Sequence, residues 1–170
     1  MKNIEEEIRL EVTKDQIKQI KDITKEYKED TRMIDITCGK YGFDSLSKVG
    51  YICRIRQKDN NITMEIKKYL DNEKCVEKSI KIDTAEDGLE IFKLLDLTPY
   101  LVLKRNREIR KYNDLLIYID RFDDIGDYIE IEYQNSSREE ALNFAKNLNI
   151  ELDFKEKYGD IVRKKQENKK

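Results

Sequence analysis

Charged and apolar residues take turns along the first stretch of the chain. Over residues 4–13, Glu5, Glu7, Arg9 and Glu11 fall on one side of the alternation. Ile4, Ile8, Leu10 and Val12 fall on the other, with Glu6 the one break in the apolar side. A period of two sends successive side chains to opposite faces and predicts a β-strand with one charged and one apolar face. In residues 15–27 the spacing becomes helical, with Ile17, Ile20, Ile23, Thr24 and Tyr27 on one side. Residues 32–49, which include Gly39 and Gly42, read as irregular chain or short strands.

Strand patterns resume over residues 51–58 and 62–70, and the turn-forming Asp59-Asn60-Asn61 between them predicts a hairpin. Asp71-Asn72 marks another turn, and residues 75–82 alternate weakly as a third strand. Asp83 and Glu86 have capping-box spacing and predict a helix through Leu97, with the lone proline, Pro99, just beyond. A second β block covers 101–112, 115–122 and 128–134, with turns at Asn113-Asp114 and 124–127. Ser136-Ser137 and Glu139-Glu140 then open a helix carrying Ala141, Leu142, Phe144, Ala145 and Leu148. Beyond Tyr158 the Lys/Arg/Glu/Gln-rich composition predicts a solvated helix that frays. With no repeat of short period and no linker, the expectation is one α+β domain over residues 1–170, its charged tail starting at about 159.

The grouping of charges adds more. Glu5/Glu7/Arg9, Arg54/Arg56, Glu65/Lys67, Arg105/Arg107 and Glu130/Glu132 are each spaced by two, so each set lines one face of its strand. Ile8/Leu10, Cys53/Ile55, Met64/Ile66 and Ile129/Ile131 line the opposite faces, and Asp120 follows Tyr118 in a strand of the same kind. Any one such strand is explained by a sheet with its charged face in water. A solvent face, however, mixes Lys, Glu, Thr, Ser and Gln, whereas these strands repeat basic pairs and acidic pairs. Charged faces turned inward, with apolar faces outward under helices, make a closed antiparallel barrel around a charged tunnel. Clustered arginines require an anion and clustered carboxylates a cation. A polyphosphate with a divalent metal meets both needs, because guanidinium forks match phosphate oxygens and carboxylates suit Mg²⁺ or Mn²⁺.

Composition narrows the field. Lys+Arg 34 against Asp+Glu 36 gives a net charge of −2, and acidic pairs on the proposed surface would repel a nucleic-acid backbone. Charged residues reach 41%, near the range of disordered chains, but the periodic apolar runs argue for a packed core. There is no histidine, which excludes His-dependent triads and the usual His-containing zinc sites. Cys38, Cys53 and Cys75 are odd in number and lack CxxC spacing, as expected of reduced thiols in the cytoplasm. No run approaches the ~18 apolar residues of a membrane span, and the acidic start Glu5-Glu6-Glu7 is unlike a signal peptide, so no membrane partner is expected.

Ile4-Glu5-Glu6-Glu7-Ile8-Arg9 resembles the hydrophobic-Glu-x-Glu-x-Lys signature that opens the CYTH superfamily. These triphosphate tunnel metalloenzymes include class IV adenylyl cyclases, thiamine triphosphatases and inorganic triphosphatases. Arg54-Ile55-Arg56 is similar to the family's Arg-x-Arg strand, Glu65-Ile66-Lys67 to its Thr-x-Lys strand and Arg105-Asn106-Arg107 to its Lys-x-Arg strand. Asp120 and Gly126-Asp127-Tyr128-Ile129-Glu130-Ile131-Glu132 match its late Asp…Gly-x-Phe-x-Glu-x-Glu pattern, so the likeness runs from Ile4 to about Tyr158. Arg9, Glu65 and Arg105 stand where Lys, Thr and Lys are usual, and Lys104 offers a second register for the last of these. The family's Tyr-Tyr-Asp stretch is not recognisable in Met33-Ile34-Asp35-Ile36-Thr37.

The resemblance implies Mg²⁺ or Mn²⁺ bound by Glu5, Glu7, Asp120, Glu130 and Glu132. It implies phosphate contacts from Arg9, Arg54, Arg56, Lys67, Arg105 and Arg107, with Glu5, Glu7, Lys67 and Arg107 catalytic. Tyr158 either corresponds to a tyrosine of the family's closing segment or anchors the last helix. The implied substrate is a triphosphate-containing small molecule: tripolyphosphate, ATP or thiamine triphosphate. Attack by water on the terminal phosphorus makes a triphosphatase. Attack by the ribose 3′-oxygen on the α-phosphorus of ATP makes an adenylyl cyclase. One charged shell serves both, and the lack of an adenine motif favours hydrolysis. A non-catalytic polyphosphate- or nucleotide-binding module would keep the basic set and lose the acidic one, whereas both are present. A homodimer is left open.

Overall fold

The opening alternation folds as β1 (Ile4–Glu11), and this strand closes the sheet on itself. It pairs on one side with β5 (Lys74–Ile82) and on the other with β8 (Gly126–Glu132). Between them run β2 (Lys25–Gly39), β3 (Tyr51–Lys58), β4 (Asn61–Tyr69), β6 (Thr98–Tyr112) and β7 (Leu115–Phe122). Every ladder is antiparallel, and the order around the closed barrel is β1-β5-β4-β3-β2-β6-β7-β8. The computed structural model describes residues 4–40, 50–71, 73–154 and 157–167. Gly42, Asn72 and the end of the expected fraying tail lie outside the described residues. Among those described, no helix is long and apolar enough to cross a membrane.

The sheet is inside-out relative to a water-filled surface. Ile8, Leu10, Val12, Leu115, Ile117, Ile119, Ile129 and Ile131 point outward and are buried under two helices, α1 (Lys14–Ile23) and α3 (Arg138–Asn147). On another wall, Cys38, Cys53 and Ile55 are covered by α2 (Ala85–Leu94), which contributes Ala85 and Phe92. Burial of these apolar faces drives closure and forces the alternating charged residues to the axis. Glu6, the break in the apolar side of β1, sits outside, where the Lys74 ammonium meets its carboxylate at 2.6 Å. Gly88 lets α2 lie close to the sheet, since a Cβ there would stand 2.4 Å from Ile55 Cδ1.

Several boundaries differ from the sequence expectation. The helix expected over 15–27 stops at Ile23 with Thr24 in extended conformation, because the chain from Lys25 is taken up as a partner of β6. Tyr27, read as part of the apolar stripe, is exposed. The stretch from residue 32 read as irregular is the second half of β2, a 15-residue strand paired with both β3 and β6. The cap of α2 is Thr84, whose hydroxyl accepts the Asp87 N–H at 3.1 Å, so the Asp83/Glu86 box is displaced by one residue. That helix ends at Leu94, where Asp96 turns the chain at positive φ and the Leu97 N–H returns to the Phe92 carbonyl. β6 begins at Thr98, placing Pro99 inside its first turn of pleat, next to a register shift in the β2 ladder.

The charged tail is the largest correction. The last helix, α4 (Tyr158–Glu167), is docked, not solvated at its start. Tyr158, Ile161 and Val162 occur at helical i, i+3, i+4 spacing and pack on Phe122, Ile125, Tyr128 and Leu103 across one end of the barrel.

Candidate active site

Opposite charges meet in the barrel because the ladders place them directly across from one another. Asp35 faces Arg56, Arg54 faces Glu65, Arg107 faces Asp120 and Arg9 faces Glu130. Cross-strand pairs of opposite charge stabilise a sheet, and here the register itself creates them. Arg56 grips Asp35 with Nε and Nη2 at 2.8 and 3.0 Å, and Arg105 Nη1 donates to the same carboxylate at 2.7 Å. Arg54 donates to Glu65 at 2.6 Å and to Glu77 at 3.0 Å. Asp120, fully shielded from solvent, accepts from Arg105 Nε at 3.2 Å, Arg107 Nε at 2.6 Å and the Tyr158 hydroxyl at 2.8 Å. Glu130 is held between Arg9 and Arg107.

One facing pair breaks the rule. Glu7 lies directly opposite Glu132, acid against acid, and Glu5 joins them so that one oxygen of each lies within 4.8 Å of the others. Like charges opposed in this way are destabilising without a counter-ion. Lys67 supplies part of the balance, with Nζ 3.2 Å from Glu5 and 3.3 Å from Glu7. Burial foremost, then the field of Glu5, Glu7 and Glu130, pushes the Glu132 carboxyl up to about 7, against a 2.9 Å hydrogen bond from Tyr118. Asp35 and Glu130 behave oppositely. Burial would raise Asp35 and Glu130, but the guanidinium groups around them outweigh it and hold both well below the usual range. Burial opposes the charge on Lys67, yet Glu7 leads a set of neighbours that keeps its pKa above the ordinary lysine value.

Most of these groups surround one cavity of about 180 Å³. Glu5, Glu7, Arg9, Arg54, Arg56, Lys67, Arg105, Arg107, Glu130 and Glu132 line it, as the alternation predicts. Asp120 stands one layer back, behind the arginines. Of the five expected metal ligands, Glu5, Glu7 and Glu132 converge, while Asp120 and Glu130 are taken up by arginines. Arg105 is buried in the barrel and Lys104 is exposed on the outside, which settles the register of that pair.

Asp35 is the functional residue that sequence reading misses. Its only signal is the single acid in Ile34-Asp35-Ile36, inside a stretch that reads as irregular chain or short strands. Glu65, standing where the resemblance calls for threonine, is a resident anion held by Arg54 and Arg56. The clustered arginines therefore carry carboxylate partners from their own chain before any external anion arrives. Tyr118, Tyr69, Tyr100 and Lys157 also line the cavity, and Lys157 Nζ lies 3.6 Å from the centre of the Tyr69 ring. The three converging carboxylates offer only hard oxygen donors, a set that fits Mg²⁺ or Mn²⁺.

A closed antiparallel barrel with paired arginines and clustered carboxylates along its axis defines a tunnel protein of anion chemistry. The CYTH domain model matches residues 3–164, and the chain belongs to the CYTH family. No curated protein matches the sequence. A conserved hypothetical protein from Pyrococcus furiosus superposes with a TM-score of 0.79 at 24% identity, covering 92% of this chain and 99% of that one. An adenylate cyclase candidate from Vibrio parahaemolyticus gives a TM-score of 0.70 at 15% identity, covering 96% and 99%. An adenylyl cyclase candidate from Hippeastrum, whose structure is described as revealing a dominant triphosphatase activity, gives 0.63 at 15% identity, covering 91% and 90%. At these identities the likeness shows the fold alone.

Proposed function

We propose that the protein is a metal-dependent triphosphatase. The opposed pair Glu7 and Glu132, with Glu5 beside them and the arginine set facing them across one cavity, carries this reading. Arg9, Arg54, Arg56, Lys67, Arg105 and Arg107 bind and orient the phosphates of tripolyphosphate, ATP or thiamine triphosphate through the donors their own carboxylates leave over. Glu5, Glu7 and Glu132 would hold Mg²⁺ or Mn²⁺, which would supply charge neutralisation at the phosphoryl oxygens and help activate the nucleophile. Asp35, Asp120 and Glu130 keep the guanidinium planes aimed at the axis, so the site pays little reorganisation when charge develops in the transition state. Three free, buried cysteines suit a reducing compartment, the cytoplasm.

The test is direct. The purified protein is incubated with tripolyphosphate, ATP and thiamine triphosphate in Mg²⁺ or Mn²⁺, and products are identified by phosphorus NMR. Release of orthophosphate supports the reading. Cyclic AMP with pyrophosphate assigns a cyclase instead, and no turnover of any triphosphate with either metal overturns both.

A further inference from the structure

The arginines of the tunnel are not equally engaged. Arg54 points Nε at Glu65 at 2.6 Å and Nη2 at Glu77 at 3.0 Å, with Nη1 3.9 Å from Asp35. Arg56 holds Asp35 with Nε and Nη2 and points Nη1 at Glu65, 3.1 Å away. Every guanidinium nitrogen of this pair therefore faces a carboxylate. On the β6–β8 side the engagement is partial. Arg105 and Arg107 each use Nε and one terminal nitrogen, on Asp35, Asp120 and Glu130. Arg105 Nη2 and Arg107 Nη1 meet no carboxylate among the described residues.

Glu65 makes the difference between the two sides. It is buried, does not line the cavity, and also accepts the Thr63 hydroxyl at 2.8 Å. Without it, Arg54 Nε and Arg56 Nη1 would be left over, as Arg107 Nη1 is. Burial would raise its pKa, but Arg54 and Arg56 outweigh burial and hold it below the usual carboxylate range, so it stays charged. A phosphate oxygen that reaches Arg54 or Arg56 meets a guanidinium already neutralised, and the new contact loosens the ion pairs with Glu65. A chain of two phosphoryl groups is served by the β6–β8 side, where donors remain. Each further group must turn to Arg54 and Arg56, where its gain is offset. We propose that Glu65 is a specificity-determining residue, acting through Arg54 and Arg56, that keeps the tunnel from favouring longer phosphate chains. The third phosphoryl group is oriented there but adds little affinity. The inference rests on the triphosphate reading above and adds a chain-length rule to it.

The test measures binding by calorimetry in Mg²⁺, with imidodiphosphate and diimidotriphosphate as probes, hydrolysis-resistant chains of two and three phosphoryl groups. In the wild type the two affinities should agree within about threefold. Glu65→Thr places a β-branched residue that suits a strand, and it leaves Arg54 with Glu77 and Arg56 with Asp35. This variant should hold the three-group chain at least about tenfold more tightly than the two-group chain. Glu65→Gln keeps the shape and drops the charge, and should move the ratio in the same direction by less. It decides alone where the threonine variant fails to fold. A wild type that already prefers the three-group chain about tenfold, or variants that leave the ratio at the wild-type value, overturn the role of Glu65 and leave the triphosphate reading standing. Failure of both chains to bind wild type and variants removes that reading, and the chain-length rule with it.

Discussion

Arg105 and Asp35 meet inside the barrel at 2.7 Å, each almost wholly shielded from solvent. Neither charge is tolerable there alone, and Asp35 also takes both donors of Arg56. Asp35→Ala leaves Arg56 and Arg105, with Arg54 3.9 Å away, without the carboxylate they share. It should cost about 3–5 kcal/mol of stability by urea unfolding.

The same carboxylate sets an acid limit. Its folded pKa is depressed, so its stabilising contribution is complete above the unfolded carboxylate pKa of about 4 and drains away as pH falls through the folded value below it. The melting temperature should therefore drop steeply on acidification below about pH 4. Asp35→Asn, already less stable at neutral pH, should flatten that decline; equal slopes for the two proteins would contradict it.

Removal of Arg56 or Arg107 tests the tunnel without disturbing the outer core. Each alanine variant should lower triphosphate turnover by roughly 10²–10³ while keeping a native circular dichroism spectrum. Ile131→Asp strikes the opposite face, where Ile131 is fully buried beneath the helices, and should unfold the protein or make it insoluble.

The metal role proposed for the opposed glutamates makes a direct prediction. Turnover should vanish in EDTA and return with Mg²⁺ or Mn²⁺. Glu132→Gln should weaken Mn²⁺ binding, read by electron paramagnetic resonance independently of turnover. Undiminished activity after complete chelation would remove the role given to Glu5, Glu7 and Glu132.

Gly88 provides a test of packing alone. Its new methyl group in Gly88→Ala would collide with the Cδ1 atoms of Ile55 and Ile82, at 2.4 and 2.6 Å. These are the far ends of flexible side chains, so a loss of about 1–3 kcal/mol is expected, with catalytic constants unchanged.

The inward arginine and glutamate pairs were legible because alternation and spacing by two survive any error in strand ends. Lys25 to Asp30 were not, because six polar or half-polar residues in a row carry no period, and only the partner strand β6 makes them a strand. Asp35 was hidden with them. Tyr118 was readable only as a neighbour of Asp120, since a hydrogen bond to Glu132 across a ladder leaves no mark on sequence spacing. The docking of α4 was obscured by its composition, although Tyr158, Ile161 and Val162 hold the helical interval that seats it.

Because β1 pairs with β8, the carboxylate group is assembled from opposite ends of the chain: Glu5 and Glu7 from the first strand, Glu132 from the eighth. A ribosome-bound chain holds two of these three carboxylates for most of its synthesis. Capacity for the metal thus arises only once the late strand has emerged and found the early one. Such long-range closure is slow, and binding of the ion proposed above would report that the circle of strands is complete.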